Sequence, residues 1–131
     1  MNFPEELKYT RDHEWVRRED GFAVVGITGH AQEKLGSIVF VELPPPAKSF
    51  RRGEVLATVD SVKTVAEVYA PVGGEVEAVN EALREKPEAI NQSPYEEGWM
   101  VRLKVDDPAE LEALLSAEVY AALIREEEAK E

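Results

Sequence analysis

The sequence predicts a mainly β fold. Two quasi-equivalent sheets pack as a small sandwich or flattened barrel, with a short helix near residues 30–35 and a C-terminal helix over about 108–125. Three observations carry this. Val55 to Ala70 sorts into two distinct faces when folded as a hairpin with Val62 and Lys63 at its tip. Gly53-Glu54-Val55-Leu56-Ala57 recurs as Gly74-Glu75-Val76-Glu77-Ala78, differing only at Leu56 and Glu77. Trp99 to Val105 alternates with period two, placing Trp99, Val101, Leu103 and Val105 inward and Met100, Arg102 and Lys104 outward.

In the hairpin, Val59 should face Ala66, Ala57 should face Val68 and Val55 should face Ala70, all apolar and on one face. Asp60 with Val65, Thr58 with Glu67 and Leu56 with Tyr69 make a mixed opposite face. A slip of one residue would scramble both sets, so the register is well specified. Val62-Lys63 is a poor two-residue turn, which favours Asn-Gly or a glycine. The expected tip is a type I turn, or a slightly longer one, held by its neighbours.

The other elements follow in order. His13 to Arg18 and Phe22 to Ile27 read as strands around the turn Glu19-Asp20-Gly21. Thr28-Gly29 punctuates, Ala31 to Leu35 forms one or two helical turns, and Gly36 closes them. Ser37 to Leu43 is a β-prone run ended by Pro44-Pro45-Pro46. Pro71-Val72-Gly73-Gly74 is a turn and Glu75 to Val79 a further strand. Asn80 to Gln92 is irregular or briefly helical, limited by Pro87, and Ser93 to Gly98 is a structured loop. Asp107 caps the last helix, Pro108 suits its first position, and Glu110 completes a capping-box-like arrangement. Leu111, Leu114, Leu115, Val119 and Ala122 form an apolar stripe that packs onto the sheet. The charged end, Arg125 to Glu131, should fray, because Glu126-Glu127-Glu128 opposes the helix dipole.

The 131 residues argue for one domain over 1–131. They include 27 acidic and 15 basic residues, a net charge of −12 that repels phosphate backbones and argues against nucleic acid. No cysteine is present, which excludes a disulfide framework and a thiolate metal site. Nothing approaches the roughly 18 apolar residues of a membrane span. The start, Met1 to Glu6, has neither the apolar run nor the basic character of a targeting segment. The expectation is a soluble intracellular protein, cytoplasmic or, as a mature eukaryotic form, in the mitochondrial matrix.

Catalytic signatures are missing. His13-Glu14 has no second histidine at the spacing of a zinc-binding helix, and neither His13 nor His30 has a metal partner near it in sequence, so no metal site is expected. Gly73-Gly74 lacks the lysine and hydroxyl residue of a phosphate loop. Lys63 at a wet tip lacks the desolvation that activates a Schiff-base lysine. An exposed lysine on a rigid tip suits a different task. A modifying enzyme can acylate it, and the attached group then supplies the reactivity. The competing reading of Lys63 is an ordinary surface lysine.

Several segments, in this order, resemble the H protein family of the glycine cleavage system. They are His13-Glu14-Trp15-Val16, Gly26-Ile27-Thr28, Ala31-Gln32, Leu35-Gly36, Val39 to Pro44, Ser61-Val62-Lys63, Pro71, Gly74-Glu75-Val76, Val79-Asn80, Ile90-Asn91, Ser93-Pro94-Tyr95 and Gly98-Trp99. The likeness runs from about Leu7 to Val105. It implies the barrel-sandwich hybrid of lipoyl and biotinyl domains, with a C-terminal helix, and lipoate attached to Lys63. The implied role is a non-catalytic shuttle. It takes an aminomethyl group from glycine decarboxylase (P protein) to aminomethyltransferase (T protein), and electrons to dihydrolipoamide dehydrogenase (L protein). A lipoate-attaching enzyme is a further implied partner; nucleic acid and membrane are not.

The loaded arm ends in an ammonium, for which Glu14 and Glu67 are the candidate partners in a cleft. Either is otherwise a solvated surface glutamate. Asp60 and Thr64 stand where the family commonly has Glu and Ala, and Ala47 stands where a glycine usually follows the prolines. A biotin carrier would flank the lysine with methionines, and the lipoyl subunit of 2-oxoacid dehydrogenases would put Asp before it. Val62 and Thr64 fit neither. An unmodified scaffold that has lost the relay is the remaining alternative.

Overall fold

Two antiparallel sheets divide the strands of the computed structural model, which describes residues 2–130. In chain order the strands are β1 (Lys8–Tyr9), β2 (Glu14–Glu19), β3 (Phe22–Ile27), β4 (Ile38–Glu42), β5 (Ser49–Phe50), β6 (Val55–Ser61), β7 (Val65–Tyr69), β8 (Gly74–Val79) and β9 (Val101–Val105). The helices are α1 (Gly29–Leu35), α2 (Ala82–Glu85), α3 (Ala89–Gln92), α4 (Ala109–Glu112) and α5 (Ala117–Ala129). The larger sheet runs β1-β2-β3-β9-β8-β5, and the smaller runs β4-β6-β7. Between them the inward side chains of both sheets, among them Val25, Val41, Val59, Val76 and Leu103, form the main core. Side chains of this size contribute about 1.5–3 kcal/mol each on full burial, so the inner faces fix how the sheets meet.

The central hairpin has the expected register over most of its length: Asp60↔Val65, Val59↔Ala66, Thr58↔Glu67 and Ala57↔Val68. Its base differs. A bulge between Val55 and Ala57 makes Val55 the partner of Tyr69 rather than Ala70. The extra residue turns Leu56 inward beside Ala57, and leaves Val55 exposed. The recurring segment bulges at the same place in β8, between Val76 and Ala78. The two units are thus alike in conformation as well as sequence, one in each sheet.

Trp15 lies directly opposite Gly26 on β3. A Cβ at Gly26 would sit 2.6 Å from the indole, so only glycine lets the ring lie across the strand. The indole N–H donates to the Pro94 carbonyl at 2.9 Å, which ties the Ser93–Gly98 loop to the sheet. Met100, expected outward, is fully buried. The amide of Asn80 holds the carbonyls of Glu97 and Trp99. The chain is thereby turned just ahead of β9, and strict alternation begins only at Val101.

The single C-terminal helix expected over 108–125 is two helices. Leu115 leaves the helix to exchange both backbone hydrogen bonds with Tyr9, each 2.8 Å long. Ser116 then caps α5 by accepting from the Val119 N–H at 3.2 Å. The buried face of α5 is Ala117, Tyr120 and Ile124, while Val119 and Ala122 point to solvent. Tyr120 stacks on Tyr9 with ring centroids 4.8 Å apart, in a second core with Leu7, Trp15 and Val24. Glu110 does not close a capping box: its carboxylate accepts from the Gly73 N–H at 2.7 Å. The acidic end stays helical through Ala129 rather than fraying.

Candidate functional site

Lys63 stands exposed at the tip of the β6–β7 hairpin. Ser61 holds the turn that sequence propensity does not favour. Its Oγ accepts from the backbone N–H groups of Lys63 and Thr64, both at 3.1 Å, and its own N–H donates to the Thr64 carbonyl at 2.8 Å. The Val62 N–H donates to the Ser37 carbonyl at 3.1 Å, which ties the tip to the start of β4. The Lys63 side chain lies along Gly36, where a Cβ would meet its Cε at 3.3 Å. Gly36 has φ +78°, so this position favours glycine on conformational as well as steric grounds. Val39, Phe40, Val62 and Val65 are exposed apolar residues on the same small sheet and its tip.

The same hairpin forms one wall of a cleft of about 350 Å³. Val59, Ala66, Glu67 and Val68 come from the hairpin. Asp12, His13 and Glu14 come from the entry to β2, Ile27 from β3, and His30, Ala31, Lys34 and Leu35 from α1. Glu127 and Glu128 reach it from the end of α5. The walls are apolar and the rim is rich in carboxylates. The structure therefore brings Glu14 and Glu67 into one cleft.

The two glutamates differ in kind. Glu14 is 1% exposed, so it is not a solvated surface group. The Thr10 hydroxyl donates to one of its oxygens, and the Tyr69 N–H donates to the other at 3.0 Å. Both bonds favour the ionised form, yet burial outweighs them and pushes the carboxyl up to about 7. Glu67 is exposed and accepts from the Tyr69 hydroxyl at 3.1 Å. Tyr69 thus meets Glu14 through its backbone and Glu67 through its side chain.

Sequence reasoning missed a third group. His13, His30 and Glu127, far apart in the chain, converge at the cleft. The His13 Nδ1 is 2.7 Å from the Tyr120 hydroxyl, which is 2.8 Å from Thr28 Oγ1. Burial holds the His13 imidazole below its usual range, against the opposing pull of Glu127. The available signal was Ser116: read as a cap, it starts a helix there and turns Tyr120 inward.

A lipoyl/biotinyl-like sandwich with one lysine raised on a locked hairpin defines a non-catalytic carrier, a domain that presents a group for other proteins to act on. The comparisons narrow the class. Residues 7–127 match the family described as Glycine cleavage H-protein. Two relatives described as glycine cleavage system H protein, from Anaeromyxobacter sp. (strain K) and Anaeromyxobacter dehalogenans (strain 2CP-1), are each 48% identical over 128 residues. Each alignment covers 98% of this chain and the whole of the relative. A crystal structure of a glycine cleavage system H protein from Mycobacterium marinum superposes with a TM-score of 0.82 at 36% identity, covering 92% of this chain and 97% of that one. The chain belongs to the glycine cleavage H-protein family, the carriers that shuttle aminomethyl units in that system.

Proposed function

We propose that Lys63 is the attachment point for lipoate, joined as an amide to its ε-amino group, and that residues 1–131 act as one carrier domain. The observation that supports this most is the Ser61-locked tip, which presents Lys63 to solvent in the Ser61-Val62-Lys63 run. The surroundings fit the group: an exposed, pinned lysine, and an apolar-walled cleft on the same hairpin. Bound there, lipoate supplies a dithiolane that takes up an aminomethyl group with two electrons and later yields both.

The chain's own residues do the rest. Ser61 and the Val62–Ser37 bond hold the attachment point still. Ile27, Leu35, Val59 and Val68 offer an apolar lining that excludes water. Glu14 and Glu67 are the acceptors for the ammonium of the cargo, because a charge-assisted hydrogen bond in a desolvated place is strong. P protein, T protein and L protein are the successive partners, and a lipoate-attaching enzyme acts first. The relatives are bacterial, which supports the cytoplasm as the place of action, with the mitochondrial matrix as its eukaryotic counterpart.

The test is intact mass of the chain made in its native host, beside a Lys63→Arg variant. A lipoyl increment that vanishes in the variant, with glycine cleavage lost and the thermal midpoint unchanged, is the expected result. A biotinyl increment, no increment, or full activity in the variant overturns the assignment.

A further inference from the structure

Two histidines and a glutamate that the carrier role does not use meet at the cleft. His13 precedes β2, His30 sits in the first turn of α1, and Glu127 sits near the end of α5. One ligating atom from each lies within 4.8 Å of the other two, and His13 Nε2 is 3.6 Å from a Glu127 carboxylate oxygen. We propose that His13, His30 and Glu127 form a binding site for one divalent transition-metal ion of the zinc class. Two imidazole nitrogens and one carboxylate oxygen suit that class, with the fourth position left open. Tetrahedral zinc with bonds of about 2.0–2.1 Å sets its ligands roughly 3.3 Å apart. The His13–Glu127 pair is already near that separation. No two of the three ligating atoms are more than 4.8 Å apart, and Glu127 is exposed near the end of its helix.

Three further features point the same way. The His13 Nδ1 faces the Tyr120 hydroxyl at 2.7 Å; donating there leaves the Nε2 lone pair for a metal and fixes the ring. His13 has φ +72°, a left-handed backbone for a residue with a Cβ. It is pinned on both sides: its N–H donates to the Thr10 carbonyl at 3.2 Å, and its carbonyl accepts from the Thr28 N–H at 3.0 Å. Strain held in place by surrounding bonds marks a residue whose position is constrained. Asp12, Glu14, Glu67 and Glu128 line the same cleft, against Lys34 as its one lysine or arginine among the described residues, so the site's field favours a cation. A simple ion pair holding α5 down would account for His13 and Glu127. It leaves His30 unexplained, with its ring centroid 5.0 Å from that of His13.

The site needs no lipoate, so it is tested on the unlipoylated full-length chain and its outcome is separate from that of the carrier assignment. Zinc chloride is titrated calorimetrically, and cobalt(II) is followed by visible absorption. One ion per chain, a cobalt spectrum of low-symmetry coordination and a zinc-raised thermal midpoint are expected. Glu127→Gln alters an exposed side chain and should leave the metal-free midpoint unchanged while weakening zinc tenfold or more. His13→Asn keeps a residue that tolerates the left-handed backbone and should weaken zinc at least as much. Tyr120→Phe, which removes the hydroxyl that meets both His13 and Thr28, should weaken it by roughly tenfold. Equal affinity in wild type and Glu127→Gln, or several weak ions per chain with no change in the cobalt spectrum, would overturn the proposal.

Discussion

Replacing Glu14 by glutamine should make the protein insensitive to one component of its pH dependence. The Glu14 carboxyl lies at about 7 in the folded chain, against 4.5 for an ordinary glutamate such as the unfolded chain presents. Between those values the unfolded chain has given up its proton and the folded chain has kept it. Stability therefore falls as pH rises through this window, the reverse of a salt-bridged carboxylate. Each pKa unit is about 1.36 kcal/mol, so the full loss is about 3 kcal/mol, complete above pH 7. Glutamine carries no such proton, and its amide oxygen still accepts the Tyr69 N–H. The assay is denaturant unfolding of both proteins from pH 4 to 8, in EDTA so that no metal enters the cleft. Taking the difference cancels the other carboxylates. The glutamine variant should gain on wild type by about 3 kcal/mol across the window. Parallel stability curves would refute the reasoning, because they would mean that Glu14 is hydrated in solution and its burial has no energetic weight.

Two other outcomes are expected. In lipoylated protein, Glu14→Gln should speed the non-enzymatic loss of the aminomethyl cargo by roughly tenfold, since a charge-assisted hydrogen bond contributes about 1.5–3 kcal/mol. Decay followed without T protein decides this, and equal rates in both proteins would remove Glu14 from the mechanism. Ala47 holds φ +68°, a conformation that costs a residue with a Cβ about 1–2 kcal/mol. Ala47→Gly should raise stability by about 0.5–1 kcal/mol after the entropy of the freer unfolded glycine is subtracted. Calorimetry reads this as a rise in thermal midpoint.

The hairpin was legible because its small apolar ladder sorts only in one register. The bulge at its base was not. Val55, Leu56 and Ala57 are all apolar, so alternation cannot say which of them steps out. The lysine was legible as an exposed tip, but its rigidity was not, since it rests on Ser61 bonding across the turn rather than on turn propensity. The departure at Ala47 is now physical: the family's usual glycine suits the left-handed backbone found there. The terminal helix was misread because helical spacing persists through Leu115, where only a distant partner, Tyr9, interrupts it. Glu14 was expected beside the hairpin and does line a cleft there, but its burial depends on Thr10 and Tyr69 reaching it from two different strand ends. The convergence of His13, His30 and Glu127 depends on long-range packing, to which sequence spacing is blind.

The twin bulges of β6 and β8 carry a consequence for stoichiometry. They mark two similar strand units, one in each sheet, and two such units offer two comparable places for a presenting loop. Only the unit that begins with β6 opens into a free tip. In the other unit the strand ends at Val79, the amide of the next residue, Asn80, is spent on the Glu97 and Trp99 carbonyls, and α2 and α3 follow it in the chain. One of the two places is closed, so under the assignment of Lys63 each polypeptide offers one arm. On that assignment, a fully modified sample takes up two electrons per chain and no more.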